Sequence, residues 1–248
     1  MRSIVDGILN LLYPEDCLAC STPVHRSQDC GVCEDCWGKV LRLQIPEPWC
    51  PSCGMPYLQA DVEAIHLCGV CSVELPPFCA ARAFGFYTAE LARLILAFKF
   101  NGRQNLASLF APLLGSTLLC SWGCGEVDLV IPIPLHQRRM RERGYNQAAL
   151  LSRALTKLLG LPHSESALTR VRPTPPQVGL SNAERAGNMR QAFRCPRPAQ
   201  VRGLHILLVD DVMTTGATVR SASEALVQAG ARKVSVLTLA RTVPGLEF

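Results

Sequence analysis

Lysine is scarce in this chain of 248 residues. Of 25 basic residues only Lys39, Lys99, Lys157 and Lys233 are lysines, and the rest are arginine. An arginine bias suits bidentate contact with phosphates; a GC-rich coding sequence produces the same bias. The net charge of +5 is modest and does not by itself point to general nucleic-acid binding. No apolar run is long enough to cross a bilayer. The N-terminal stretch Met1 to Tyr13 carries Ile4, Val5, Ile8, Leu9, Leu11 and Leu12 at roughly helical spacing, but it is too short to span. It lacks a strongly basic start and a small-residue cleavage site, and Asp6 interrupts it, which argues against a signal peptide. The expectation is a helix that caps a neighbouring domain in a cytoplasmic protein, where disulfides are rare.

Cysteine, by contrast, is abundant, with 13 residues. Eight of them form four knuckles: Cys17-x2-Cys20, Cys33-x2-Cys36, Cys50-x2-Cys53 and Cys68-x2-Cys71. A two-residue gap lets one tight turn offer two thiolates to one ion, and zinc takes four such ligands in a tetrahedron. The knuckles therefore supply two four-cysteine sites, taken in order as Cys17, Cys20, Cys33, Cys36 and Cys50, Cys53, Cys68, Cys71. Cys30 offers a competing knuckle with Cys33; Cys36 is preferred because Trp37 follows it and can shield a metal. Crossed pairing between the two sets stays open. The segment has few large apolar residues, so metal must staple it. Both ions are expected to be structural Zn2+, since no ligand position is left open for catalysis. The redox alternative expects a single CxxC pair in a βαβ setting.

Pro76-Pro77 marks a linker, dividing the chain into a zinc-ribbon module over residues 1–80 and an α/β domain over 81–248. In the second part a strand is expected over Ala83–Tyr87, then helices over Ala89–Phe98 and Gln104–Leu119, with Pro112 near a bend. Lys99 and Arg103 follow the first helix, either as ordinary C-terminal cations or as a hood over a ligand. Val127–Ile131 reads as a buried strand closed by Pro132-Ile133-Pro134. A loop with four arginines, His136 to Gln147, leads from it into a helix over Ala148–Leu159. That charge density is either a solvated basic face or a site for an anion such as pyrophosphate. Leu168–Arg172 reads as a short strand, and Pro173–Asn188 as a long polar loop of the kind that forms lids.

The most informative run is Ile206-Leu207-Leu208-Val209-Asp210-Asp211-Val212-Met213-Thr214-Thr215-Gly216-Ala217-Thr218. Four apolar residues read as a strand buried on both faces, ended by two carboxylates. A small-residue loop follows, then a helix from Val219 to Ala229 stopped by Gly230, and a last strand over Lys233–Leu239. Ligands of open α/β sheets collect where strand ends lead into helix N-termini, and such termini favour phosphate. Carboxylates for a diol, with amides and hydroxyls for a phosphate, suit a ribose 5-phosphate.

This run resembles the phosphoribosyl pyrophosphate signature of type I phosphoribosyltransferases. The resemblance implies that Asp210 and Asp211 face the ribose 2- and 3-hydroxyls, while Met213, Thr214, Thr215, Gly216, Ala217 and Thr218 wrap the 5-phosphate. The order of parts narrows it further. The double cysteine-knuckle module, Lys99-Phe100-x-Gly102, Pro132-x-Pro134 and Arg141-x-Arg143-Gly144-Tyr145-Asn146-Gln147 together look like the ComF family of competence-associated, phosphoribosyltransferase-like proteins. The long loop, with Arg170, Gln177, Leu180, Arg185, Asn188 and Ala192-Phe193, is similar to the flexible loop of amidophosphoribosyltransferase-like enzymes. What these resemblances imply is a type I phosphoribosyltransferase fold, phosphoribosyl pyrophosphate bound with Mg2+, and a role in DNA uptake or utilisation. Arg141, Arg143 and Lys99 are then the residues expected to offset leaving-group charge. No residue stands out as a general base, so a transferase with an unknown acceptor, a non-catalytic sensor and a single-stranded DNA-handling protein all remain open.

Overall fold

The computed structural model describes residues 15–24, 31–57, 66–171 and 192–245. The expected N-terminal helix, Cys30 and the long polar loop lie outside the described residues.

The ribbon module holds little regular structure. Strands β1 (Glu15–Asp16) and β2 (Pro23–Val24) pair antiparallel around the first knuckle. Helix α1 (Glu34–Leu41) starts at the second knuckle, with Cys33 as its N-cap, and a five-residue helix, α2 (Gly69–Val73), starts at the fourth. At the second knuckle the Cys33 sulfur caps the helix by accepting from the Cys36 N–H, whereas the fourth has no side-chain cap.

The larger part is a parallel sheet. Strand β3 (Ala80–Phe86) is followed by α3 (Ala89–Phe100), α4 (Leu106–Ser121) and β4 (Leu129–Pro132). Two consecutive helices, α5 (Gln137–Arg143) and α6 (Gln147–Leu159), come next, then the short antiparallel pair β5 (Thr169–Arg170) and β6 (Phe193–Arg194). Strand β7 (His205–Met213), helix α7 (Ala217–Gln228) and strand β8 (Lys233–Arg241) complete it. The sheet order is β3-β8-β7-β4, with all three pairings parallel. Alternate strand residues explain the continuous apolar runs. Leu207, Val209, Leu237 and Leu239 pack with Phe98, Phe110, Leu114, Leu151 and Leu155 on one face, while Ile206, Leu208, Val234 and Val236 pack with Val219, Ala222 and Leu226 on the other. Both faces are covered, as a parallel sheet requires.

Two elements differ from the sequence reading. Part of the arginine-rich loop is helical: α5 is capped at His136, whose Nδ1 accepts from the Arg138 N–H at 3.2 Å, and it stops at Gly144 in the left-handed conformation. Strand β7 also does not end at the acid pair. It runs on to Met213 because β8 keeps supplying partners, through Val212↔Ala240 and Met213↔Arg241, whereas β4 stops at Pro132↔Val209. Past Val209 the β4 side of β7 is thus left without its strand neighbour.

Both outer edges of the sheet are closed by irregular chain. The Val130 N–H donates to the Pro162 carbonyl on the β4 side, and Ser164 N–H donates to Val130. On the β3 side the ribbon module does the same work. Ile45 N–H donates to the Phe84 carbonyl, Phe86 N–H to the Leu43 carbonyl and Ala81 N–H to the Ser52 carbonyl. An open strand edge is a template for unwanted pairing; here the zinc-ribbon backbone occupies it. Two glycines permit the approach. A Cβ on Gly54, already at φ +70°, would lie 2.3 Å from the Ala81 carbonyl oxygen, and one on Gly85 would lie 2.9 Å from that of Leu43. Gly54→Ala is expected to lower stability by about 2–3 kcal/mol and Gly85→Ala by a smaller amount, both read in denaturant titrations. Wild-type midpoints for both would show that the ribbon does not press on β3.

Candidate functional site

The acid pair sits on the stretch of β7 that has outrun β4. Successive strand residues point to opposite sides, so the two carboxylates meet different surroundings. Asp211 turns toward α3 and forms an ion pair with Lys99, Nζ to Oδ1 2.8 Å, with both side chains largely withdrawn from water. Asp210 accepts from the Asp211 N–H at 2.9 Å and faces the β5–β6 pair, where Arg170 supplies the nearest favourable guanidinium charge. Burial, followed by the charge of Asp211, holds the Asp210 carboxyl well above the ordinary carboxylate range, against the pull of Lys99 and Arg170. Burial and the like charge of Arg139 in turn lower the pKa of Arg170, whose guanidinium lies 5.4 Å from the centre of the Phe193 ring.

The turn after the strand is built for close approach. Thr214 and Thr215 are exposed, and Gly216, at φ +78°, forms the N-cap of α7. No side chain caps that helix start in the usual way, although Thr215 Oγ1 accepts a long bond from the Ala217 N–H at 3.4 Å. Unsatisfied first-turn N–H groups carry the positive end of the helix dipole and favour an anion. Met213 is buried beneath the turn, its Cε 2.9 Å from where a Cβ on Gly216 would lie. The left-handed φ is what favours glycine at 216, since the methionine end can give way.

The Arg-Gly-Tyr-Asn-Gln motif has a clear structural task that sequence reasoning missed. The last carbonyls of any helix lack intrahelical partners. Here the Tyr145 hydroxyl donates to the Phe98 carbonyl and Gln147 Nε2 to the Lys99 carbonyl at 3.4 Å, so the motif closes the final turn of α3. Asn146 donates to the Ile133 carbonyl at 3.0 Å and caps α6 through Oδ1, which accepts from Ala148 N–H at 3.0 Å. Arg143 stacks its guanidinium 4.8 Å from the Phe100 ring centre and donates to Gln147 Oε1 at 3.0 Å. The motif thus fixes the helix end that carries Lys99. Only a Tyr and a Gln next to a helix start signalled this in the sequence, and neither names its distant partner.

Of the expected charge-offsetting residues, Lys99 is brought to the acid pair, Arg143 is held against α3, and Arg141 is exposed on α5. Arg103 is not gathered there. It reaches Glu15 of the ribbon at 3.5 Å.

The cysteines converge as two tetrads taken in order, Cys17, Cys20, Cys33, Cys36 and Cys50, Cys53, Cys68, Cys71, with the ligand atoms of each set within 4.8 Å of one another. Four thiolates around one zinc at about 2.3 Å would stand about 3.8 Å apart. Cys20 and Cys33 Sγ are 3.8 Å apart, and Cys53 and Cys68 Sγ are 3.5 Å apart. Backbone N–H groups point at the sulfurs: Cys33 at Cys17 Sγ, Cys36 at Cys33 Sγ and Cys68 at Cys50 Sγ, each at 3.4 Å. The donor set, its spacing and its N–H···S bonds fit structural zinc in both tetrads, and among the described residues no cysteine is in a disulfide.

A parallel sheet, an acid-pair strand and a glycine turn into a helix, joined to two cysteine tetrads, define a phosphoribosyltransferase-like domain carrying a double zinc ribbon. Comparison with known families agrees: the double zinc ribbon domain matches residues 8–72 and the phosphoribosyl transferase domain residues 143–244. A DNA utilization protein, YhgH, of Salmonella typhimurium is 35% identical over 236 residues, 94% of this chain and 100% of its own length. Competence protein F of Haemophilus influenzae is 31% identical over 91% of this chain and 96% of its own, and competence protein ComFC of Bacillus subtilis is 29% identical over 85% and 84%. The chain belongs to the ComF family of competence-associated, phosphoribosyltransferase-like proteins.

Two measurements test this geometry. Tyr145→Phe, which leaves the Phe98 carbonyl without its buried donor, is expected to lose about 1–2 kcal/mol in urea unfolding; no loss would mean that the motif does not hold α3. The raised Asp210 pKa means that the folded state binds this proton more tightly than the unfolded chain. Its stabilising share is therefore full below the ordinary carboxylate range and declines as pH rises toward the raised value. Asp210→Asn should accordingly raise the melting temperature at pH 8 and make it less dependent on pH; an unchanged or lower value would refute a strained carboxylate.

Proposed function

We propose that the protein binds phosphoribosyl pyrophosphate with Mg2+ at the end of β7 and serves DNA uptake or utilisation. The observation that carries this reading is the acid pair on the stretch of β7 that β4 leaves unpaired, followed by a short turn to Gly216 and a helix start without a side-chain cap. In this reading Asp210 and Asp211 take the ribose 2- and 3-hydroxyls. The backbone from Met213 to Thr218 takes the 5-phosphate, with hydroxyls from Thr214, Thr215 and Thr218. Mg2+ supplies charge neutralisation for the departing diphosphate. Lys99 and Arg141 offset the remaining leaving-group charge; Arg143, already engaged with Phe100 and Gln147, acts mainly by holding Lys99 in place. The 2.8 Å pair between Lys99 and Asp211 keeps both groups poised until a ligand offers each another partner.

The double ribbon, residues 1–80, carries two structural Zn2+ ions and braces the catalytic-type domain over 81–248. Thiols held as zinc ligands suit a reducing compartment, which favours the cytoplasm. Among the described residues no helix is long and apolar enough to cross a membrane. The DNA link rests on relatives named for competence and DNA utilisation. Single-stranded DNA is the partner the arginines of α5 would take, through phosphate contacts.

Titration calorimetry with phosphoribosyl pyrophosphate and Mg2+ tests the core of the reading. Wild type should bind, Asp211→Asn should bind at least tenfold more weakly, and acidification should weaken binding at a higher pH than an ordinary carboxylate would require. No heat in wild type would end the proposal. Pyrophosphate release on adding candidate acceptors then separates transfer from sensing. For the DNA role, single strands should bind at low salt, with affinity falling steeply as salt rises and a shallower slope in Arg141→Gln.

A further inference from the structure

The two tetrads are alike in ligand geometry but not in surroundings. The first presents Cys20 to solvent, and its nearby Arg93 spends its bond on the Ala19 carbonyl at 2.8 Å rather than on sulfur. In the second, Cys50, Cys53 and Cys71 are buried where the ribbon docks on β3 and β8. Arg241, the last residue of β8, is 5% exposed and points into that tetrad. Its Nη1 donates to the Cys53 carbonyl, and Nη2 lies 3.8 Å from Cys53 Sγ. Its Nε has no partner, and among the described residues no carboxylate pairs with it. Arg82 on β3 flanks the same knuckle. It donates to the Pro51 carbonyl at 3.2 Å and lies 5.3 Å from the Trp49 ring centre, again with no carboxylate in ion-pair reach among the described residues.

A buried guanidinium without an anion is costly. Four thiolates around one Zn2+ carry a net charge of −2, and two arginines carry +2. Arg241 reaches further still: its Nη1 is 3.5 Å from Met213 Sδ, and Met213 packs beneath Gly216.

We propose that Arg241, assisted by Arg82, is the counter-charge of the loaded second tetrad, and that through Met213 it ties metal occupancy there to the shape of the 213–218 turn. Arg241 is a positioning residue in this account: it touches the metal-ligating Cys53 but neither the proposed sugar phosphate nor any reacting atom. Among the described residues the first tetrad has no buried arginine on its sulfurs and no such link to the 213–218 turn. Hydrogen bonds to metal-bound groups hold and tune their metal, and their loss typically weakens it 10- to 100-fold.

The test uses the full-length zinc-loaded protein without phosphoribosyl pyrophosphate, so its outcome is independent of whether that ligand binds. Zinc release to a chromogenic chelator should be biphasic. In Arg241→Gln one of the two equivalents should leave about 10- to 100-fold faster, with Arg241→Lys intermediate because it keeps the charge. The fast equivalent should persist in a Cys20→Ser background, which assigns it to the second tetrad. If Arg241→Gln is too unstable to purify, Arg82→Gln should show the same acceleration to a smaller degree. Wild-type release in these variants, or a Lys variant as fast as Gln, overturns the counter-charge. Amide exchange over 213–218 should rise in Arg241→Gln and stay at the wild-type level in Cys20→Ser; equal protection in all three overturns the link to the turn.

Discussion

The contact between Lys99 and Asp211 joins the two halves of the candidate site, and it exists only because two chain segments arrive at one height. Asp211 is set by strand pairing: β8 carries β7 forward after β4 has stopped. Lys99 is set by the end of α3, and helix ends fray unless their free carbonyls are satisfied. Tyr145 and Gln147 satisfy two of them from the start of α6. A buried charge pair is strongly destabilising when one partner is missing, so both segments must be held for either charge to be tolerated. The arginine-rich motif therefore has an architectural part that precedes any contact with phosphate.

The ribbon module answers a different constraint. A parallel sheet of four strands leaves two exposed edges, and an α/β fold usually covers them with further strands or helices. Here Leu43 to Ile45 and the Cys50–Cys53 knuckle lie along β3, with Gly54 and Gly85 allowing backbone to meet backbone. The segment has too little apolar mass to hold this position alone, and two four-cysteine centres supply the rigidity. Tetrad, sheet edge and the 213–218 turn are thereby in contact: the tetrad that braces β3 also meets the arginine ending β8, which touches Met213 beneath Gly216.

Much of this was legible in the sequence. Cysteine spacing marked the four knuckles and favoured grouping them in order, because a CxxC turn is local; the crossed grouping it left open is settled by which sulfurs converge in the fold. The run from Ile206 to Thr218 announced a buried strand, an acid pair and a turn into a helix, since each is written in neighbouring residues. The family followed from the order of those motifs. Strand ends were less legible. Nothing near Asp211 says that β7 continues to Met213, because that depends on Arg241 and Ala240 offering partners from β8.

The sequence by itself determined the cysteine knuckles, the acid-pair strand with its turn, and the family, for these rest on residue identity and short spacing. Tertiary structure decided which charges meet. It sent Arg103 to the ribbon and Lys99 to Asp211, turned Tyr145 and Gln147 into a clamp on α3, and placed Arg241 against Cys53. The reason is physical: such contacts are made across long stretches of chain, and their energies depend on burial and on distances of a few ångströms, neither of which is encoded in local pattern.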